Sequence, residues 1–220
     1  MSTCIYCAKQ PGTTRDHIPP RGVFPEPRSS DLITVPACAD CHDGFKLDDE
    51  YFIQRLMLRR DVGTDSRADS LLEKIQRAWQ RLEGRGLTDD LVQSLGMIEL
   101  RSQTGLTVGR APAYHVDLVR VRRTLSRCVR ALFWHDVGER LPNEVEVHVE
   151  PWEELAPEDQ EEYRRIIRGA EVRAIGDRLF QYVRVTATDE PYATMWVLEF
   201  WGVADFIALT RPDRLSRRPV

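Results

Sequence analysis

Two cysteine pairs, Cys4-Ile-Tyr-Cys7 and Cys38-Ala-Asp-Cys41, fall within the first 41 residues, with 30 residues between them. A CxxC turn presents two thiolates to one ion, and two such turns complete the roughly four-ligand tetrahedral shell of zinc. The competing states are buried free thiols or a disulfide pair. The N-terminal Met-Ser-Thr-Cys-Ile-Tyr-Cys has neither the basic region nor the apolar core of a secretory signal. The expectation is therefore a reducing cytoplasm, where paired cysteines bind metal more often than each other. A zinc with four thiolates keeps no open position for water, so its expected role is structural, stapling a segment too small for a core of its own.

Composition bounds the rest. The chain has 220 residues, 42% hydrophobic and 30% charged, as ordinary soluble domains have. No apolar run approaches the roughly 18 to 20 residues of a membrane span, so no membrane partner is expected. A net charge of −4 argues against a protein that coats DNA through its overall field. It leaves room for an enzyme that touches a few phosphates from a local basic patch.

Residues 1–60 hold four of the five cysteines, two of the five histidines and six of the thirteen prolines, which sets them apart from 61–220. Within the first unit, Thr13 to Ile18 and Leu32 to Val35 read as short strands joined by the Pro/Ser-rich loop Pro19 to Ser30. A helix follows Cys38, with Asp48-Asp49-Glu50 as its cap and acidic first turn and an end near Arg60. Further on, Ser70 to Glu83 has helical spacing with Gly84 as its stop, and Ala113 to His135 makes a long amphipathic helix. Cys128 lies on the apolar stripe of that helix and reads as a small core residue. Glu144 to Glu150 alternates as a strand and Pro157 to Arg168 reads as a helix. Arg178 to Thr188 and Ala193 to Trp201 form a meander that pairs with 144–150. The expected class is α+β: an N-terminal zinc unit, then an α+β domain with long helices and a small antiparallel sheet.

The residues enclosed by the cysteines carry the chemistry. Asp16-His17 ends the first strand and His42 directly follows the fourth cysteine. A hairpin running into a helix brings Asp16 and His42 together, an oxygen and a nitrogen ligand suited to Mg²⁺ or Mn²⁺. A neutral His17 alongside can take a proton from water. Each of these residues also has a plain structural reading, and His42 has one as an alternative zinc ligand in place of Cys41.

Three stretches together, Cys4-Ile-Tyr-Cys7, Arg15-Asp16-His17-Ile18-Pro19-Pro20 and Leu32-Ile33-Thr34-Val35-Pro36-Ala37-Cys38-Ala39-Asp40-Cys41-His42, resemble the HNH (ββα-metal) nucleases of the zinc-stapled type. The resemblance covers about residues 1–60. It implies a ββα-metal, treble-clef-like unit that hydrolyses phosphodiester bonds of nucleic acid, with double-stranded DNA as the expected partner. It also implies His17 as general base, and Asp16 and His42 as ligands of the catalytic Mg²⁺ or Mn²⁺. The family's Asn, about five residues before the third cysteine, is Ile33 here, with Asp31 and Thr34 as the nearby polar groups. That departure leaves a second reading open, a zinc-finger-type module that binds nucleic acid or protein without chemistry.

Arg120, Arg123, Arg127 and Arg130 are spaced three, four and three apart and share one face of the 113–135 helix. Such a face can track phosphates. It can equally pair with the protein's own acids. Arg211, Arg214, Arg217 and Arg218 form a basic tail read as solubilising. Trp196, Phe200, Trp201 and Phe206 read as core rather than as a base-stacking platform.

Overall fold

The pairing of two short strands fixes the N-terminal segment. In the computed structural model, which describes residues 2–80, 85–102 and 104–212 (only the backbone of Arg85 and Leu87), β1 (Thr14–Ile18) and β2 (Ile33–Ala37) run antiparallel. Asp16 stands opposite Val35, and His17 opposite Thr34. The chain then turns at Cys38, the extended N-cap residue of α1 (Ala39–Met57). Asp48, Asp49 and Glu50 therefore lie in the middle of a helix, not at its start. An acidic triplet suits a helix start by composition alone. The structure instead uses two of those acids as partners for arginines of a later helix.

Short helices α2 (Arg60–Gly63), α3 (Asp69–Trp79) and α4 (Arg85–Ser94) follow, then an antiparallel hairpin of β3 (Leu95–Arg101) and β4 (Thr107–Tyr114). The expected stop at Gly84, the end of the 70–83 helix and tail residues Arg214, Arg217 and Arg218 lie outside the described residues. Helix α5 (Leu118–Val137) begins five residues later than its sequence pattern suggested. Residues 107–114 pair as a strand instead, and the Asp117 carboxylate caps the helix by accepting from the Val119 N–H at 2.9 Å. Gly138, at φ +79°, closes the other end.

The C-terminal sheet has five antiparallel strands in the order β5-β9-β8-β7-β6, formed by Val145–Pro151, Ala204–Pro212, Glu190–Phe200, Phe180–Ala187 and Val172–Ile175. Helix α6 (Pro157–Ile167) bridges β5 and β6 in sequence. The expected strands at 144–150, 178–188 and 193–201 are present, but the first does not pair with the meander. Strand β9 inserts between β5 and β8. Its Phe206-Ile207-Ala208-Leu209 run follows β8 through a turn at Trp201 and Gly202, both with positive φ, and so folds straight back on it.

Helix α5 packs on α1, on β5 and on the β1–β2 hairpin, and one apolar core runs through all of them, from Ile5 to Ala208. Trp196, Phe200 and Trp201 are buried in it and Phe206 packs at its edge, so these aromatics serve the core. Cys128 is fully buried, as its stripe position predicted. Polar bonds also join the first sixty residues to the sheet. The Gly176 N–H donates to both Asp31 carboxylate oxygens at 3.1 Å, and the Trp201 indole donates to the Val23 carbonyl at 3.2 Å. Gly176 has φ +61°, and a Cβ there would come within 2.4 Å of the Phe24 ring, so only glycine fits. Among the described residues, no helix is long and apolar enough to cross a membrane.

Candidate metal centre and its polar surroundings

The N-terminal turn is tied to the hairpin by the backbone. Ile5 donates to the Pro36 carbonyl at 3.1 Å and Cys4 to the Gln10 carbonyl at 2.9 Å, which places the first cysteine pair beside the start of α1. The fold thus gathers Cys4, Cys7, Cys38 and Cys41 with all their sulfurs within 4.8 Å of one another. All five cysteines of the chain are free. The Cys7 and Cys38 sulfurs are 3.8 Å apart, across the two pairs. A tetrahedron with metal–sulfur bonds of about 2.3 Å has edges of about 3.8 Å. The quartet can hold a metal ion such as zinc. Backbone N–H groups of Lys9 and Gln10 bring the Cys7 thiol down to about 6, which favours the thiolate. Cys41 is pushed the other way, by burial first and then by the neighbouring thiols.

Asp16 and His17 are consecutive on a strand, so their side chains take opposite faces. Asp16 turns inward and is 3% exposed. Its Oδ2 accepts from the Tyr6 hydroxyl at 2.6 Å and from Arg127 Nη1. The other end of that guanidinium, Nη2, donates to Asp49 Oδ1, and Phe45 stacks 4.6 Å beneath it. One buried arginine therefore serves two carboxylates. Asp16, Asp49 and Arg127 each stand out in the sequence, but for other roles: a metal ligand, a helix cap and a phosphate-tracking face. Tyr6 and Asp49 carry no spacing signal, since their meeting depends on how α1 crosses α5.

His17 is half-buried on the other face of the hairpin. Burial, then the Arg21 charge, lower its pKa against the pull of Asp16, and Arg28 and His42 add to the lowering, so the ring is neutral near pH 7. His42 sits half-buried in the first turn of α1. Among the described residues, no hydrogen bond or ion pair joins Asp16 to His42, and the cysteine quartet is the only group of three or more ligand side chains within metal reach. Ile33 is buried opposite Ile18. Of its polar neighbours, Thr34 accepts from the Arg15 guanidinium at 2.7 and 2.9 Å and Asp31 holds Gly176. Among the described residues, neither side chain is hydrogen-bonded to the His17 ring.

No family model, curated protein or solved structure matches the chain. The functional reading therefore stands on the residues themselves.

The four arginines of α5 do not form a free face. Arg120 donates to Asp48 at 2.8 Å and to the Leu47 carbonyl at 2.7 Å. Arg127 is buried, and Arg130 donates to the Pro142 and Val145 carbonyls at 3.1 and 2.6 Å. Arg123 is 67% exposed, with Asp48 at 3.6 Å. Helical spacing put the four on one side, but it could not show that Asp48 and Asp49 of α1 would lie against that side.

Asp49 gives a pH test of this cluster. Its pKa is raised to about 6 from an ordinary 3.8, because burial outweighs the pull of Arg127, which Asp16 shares. The folded chain then binds this proton more tightly than the unfolded chain, so the stability from Asp49 is full below about 3.8 and is lost as pH rises through about 6. Asp49→Asn is expected to be more stable than wild type by roughly 1–3 kcal/mol at pH 7 and equal to it near pH 4. Urea midpoints across that range measure the difference, and a variant less stable at pH 7 would contradict it.

Proposed function

We propose that residues 1–60 act as a zinc-stapled nuclease unit of the HNH (ββα-metal) type, cutting nucleic acid, in the first place double-stranded DNA. The observation that supports this most directly is the hairpin-into-helix arrangement itself. It clusters the four cysteines at one end, where zinc would be structural, and it carries His17 at the end of β1 and His42 in the first turn of α1. In this reading His17 takes the proton from the attacking water. Asp16 and His42 would hold Mg²⁺ or Mn²⁺, which would supply charge stabilisation at the scissile phosphate. Because Tyr6 and Arg127 both occupy Asp16 Oδ2, Oδ1 is the oxygen that remains for an ion. Arg123 is the residue of the α5 face available to a phosphate.

The ion pair of Asp16 also favours a second reading, a zinc-held module that binds nucleic acid or protein without cleaving. Supercoiled plasmid incubated with the purified chain and Mg²⁺ or Mn²⁺ decides between them. Wild type is expected to nick it. His17→Ala should lose at least about a hundredfold in rate, the usual contribution of a general base, while keeping its metal content and circular dichroism. Equal cutting by the two proteins, or none by either, would leave the binding module as the function.

A further inference from the structure

A cavity of about 620 Å³ opens between α1, α3 and α4; neither the cysteines nor His17 line it. Its size suits a small organic molecule. Leu47, Ile53, Leu71 and Ile75 give it apolar walls that would enclose a flat ring. Gln54 of α1 forms part of the wall and is 3% exposed, yet among the described residues neither its Oε1 nor its Nε2 has a hydrogen-bond partner. Trp79 of α3 also lines the cavity, and among the described residues its buried indole Nε1 has no acceptor. Buried polar groups are almost always paired, because an unpaired one forfeits its hydration without return. All three atoms belong to side chains of the cavity wall, which also carries Glu50, Lys74, Asp90 and Arg120, and as the side chains stand they have almost no accessible surface. Packing does not need them, since leucine would fill the place of Gln54 at lower cost.

The three atoms define what would satisfy them. A carboxamide edge presents a donor beside an acceptor, and its complement is a ring edge with an acceptor beside a donor. The indole adds one more donor. Lys74 and Glu50 stand at the rim, where a sugar or phosphate would emerge. We propose that this cavity is a nucleobase site, in which Gln54 reads the amide-like edge of a base and Trp79 donates to a further acceptor on it. Rotation of the Gln54 amide about χ3, a broad torsion, turns that edge to the cavity. The base could come from a free nucleoside or from an unstacked position of a strand. The site uses none of the residues assigned to cleavage, and it stands or falls separately from the nuclease reading.

The test is thermal unfolding and calorimetric titration of the full chain with adenosine, guanosine, cytidine and uridine, without divalent metal so that no cleavage intervenes. Toluene serves as the control ring without an amide edge. At least one nucleoside is expected to raise the unfolding temperature saturably, by about 3 °C or more in large excess over Kd. Gln54→Leu should weaken that binding roughly tenfold or more, and the ligand-free variant should melt no lower than wild type because an unpaired amide has gone. Trp79→Phe provides a second variant, expected to weaken binding while the fold is kept. Competition by a single-stranded 12-mer, lost when the central nucleotide is abasic, would assign the base to a strand; absence of competition would assign it to a free nucleoside. The site is refuted by the absence of any nucleoside shift, by toluene binding as well as the nucleosides do, or by Gln54→Leu binding unchanged.

Discussion

Replacing Cys7 with Ser is expected to strip the metal and lower the unfolding temperature by more than about 10 °C, because metal binding at such a site is itself folding energy. The hairpin and the first turn of α1 are held by the quartet at one end, and Ala37 and Cys38, which belong to a small satellite core of their own, have little else to pack against. Serine keeps the volume but offers a poor ligand, so the shell loses one of its four sulfurs. Metal per chain by elemental analysis and melting by calorimetry measure the effect. Cys128→Ala is the control. It removes a buried thiol 0% exposed, and should cost some packing while leaving metal content at the wild-type value. If Cys7→Ser kept both its metal and its melting temperature, the staple would be refuted.

The second large effect is expected at Arg127. Arg127→Met preserves much of the side-chain bulk against Phe45 but leaves Asp16 and Asp49 facing each other without a cation. Removing one partner of a buried ion pair costs about 3–5 kcal/mol, since the remaining charge stays desolvated. Here two carboxylates are stranded, so the loss should lie at the upper end at pH 7. It should shrink as pH falls, because protonation removes the stranded charge. Combining Arg127→Met with Asp16→Asn and Asp49→Asn should recover most of the stability. Urea midpoints of the single and combined variants give the coupling energy directly. A variant that loses less than about 1 kcal/mol would show that water, not the arginine, compensates these acids.

The sequence was most legible where local chemistry decides the structure. Cysteine spacing identified the quartet, period-two alternation found β5, and the apolar stripe found α5 and the burial of Cys128. It was least legible where partners come from far along the chain. Asp48-Asp49-Glu50 resembles a helix cap by composition, and only the crossing of α1 and α5 makes two of them partners of Arg120 and Arg127. The same crossing explains why a regular row of arginines is largely consumed inside the molecule. Strand β9 went unread because its apolar run directly continues an aromatic strand, and the break is a three-residue turn, Trp201 to Val203, with no proline. The hairpin β3–β4 was missed for another reason: β3 is exposed along its whole length, and its Leu95, Met97 and Ile98 show no alternation of apolar and polar positions.

The link from Asp31 to Gly176, and the single core that runs from Ile5 to Ala208, tie the cysteine quartet to a sheet more than a hundred residues away in sequence. In thermodynamic terms the two ends are linked functions. Metal that binds only the folded chain stabilises the sheet by mass action. By reciprocity, whatever loosens the sheet must weaken the apparent affinity for metal by the same factor.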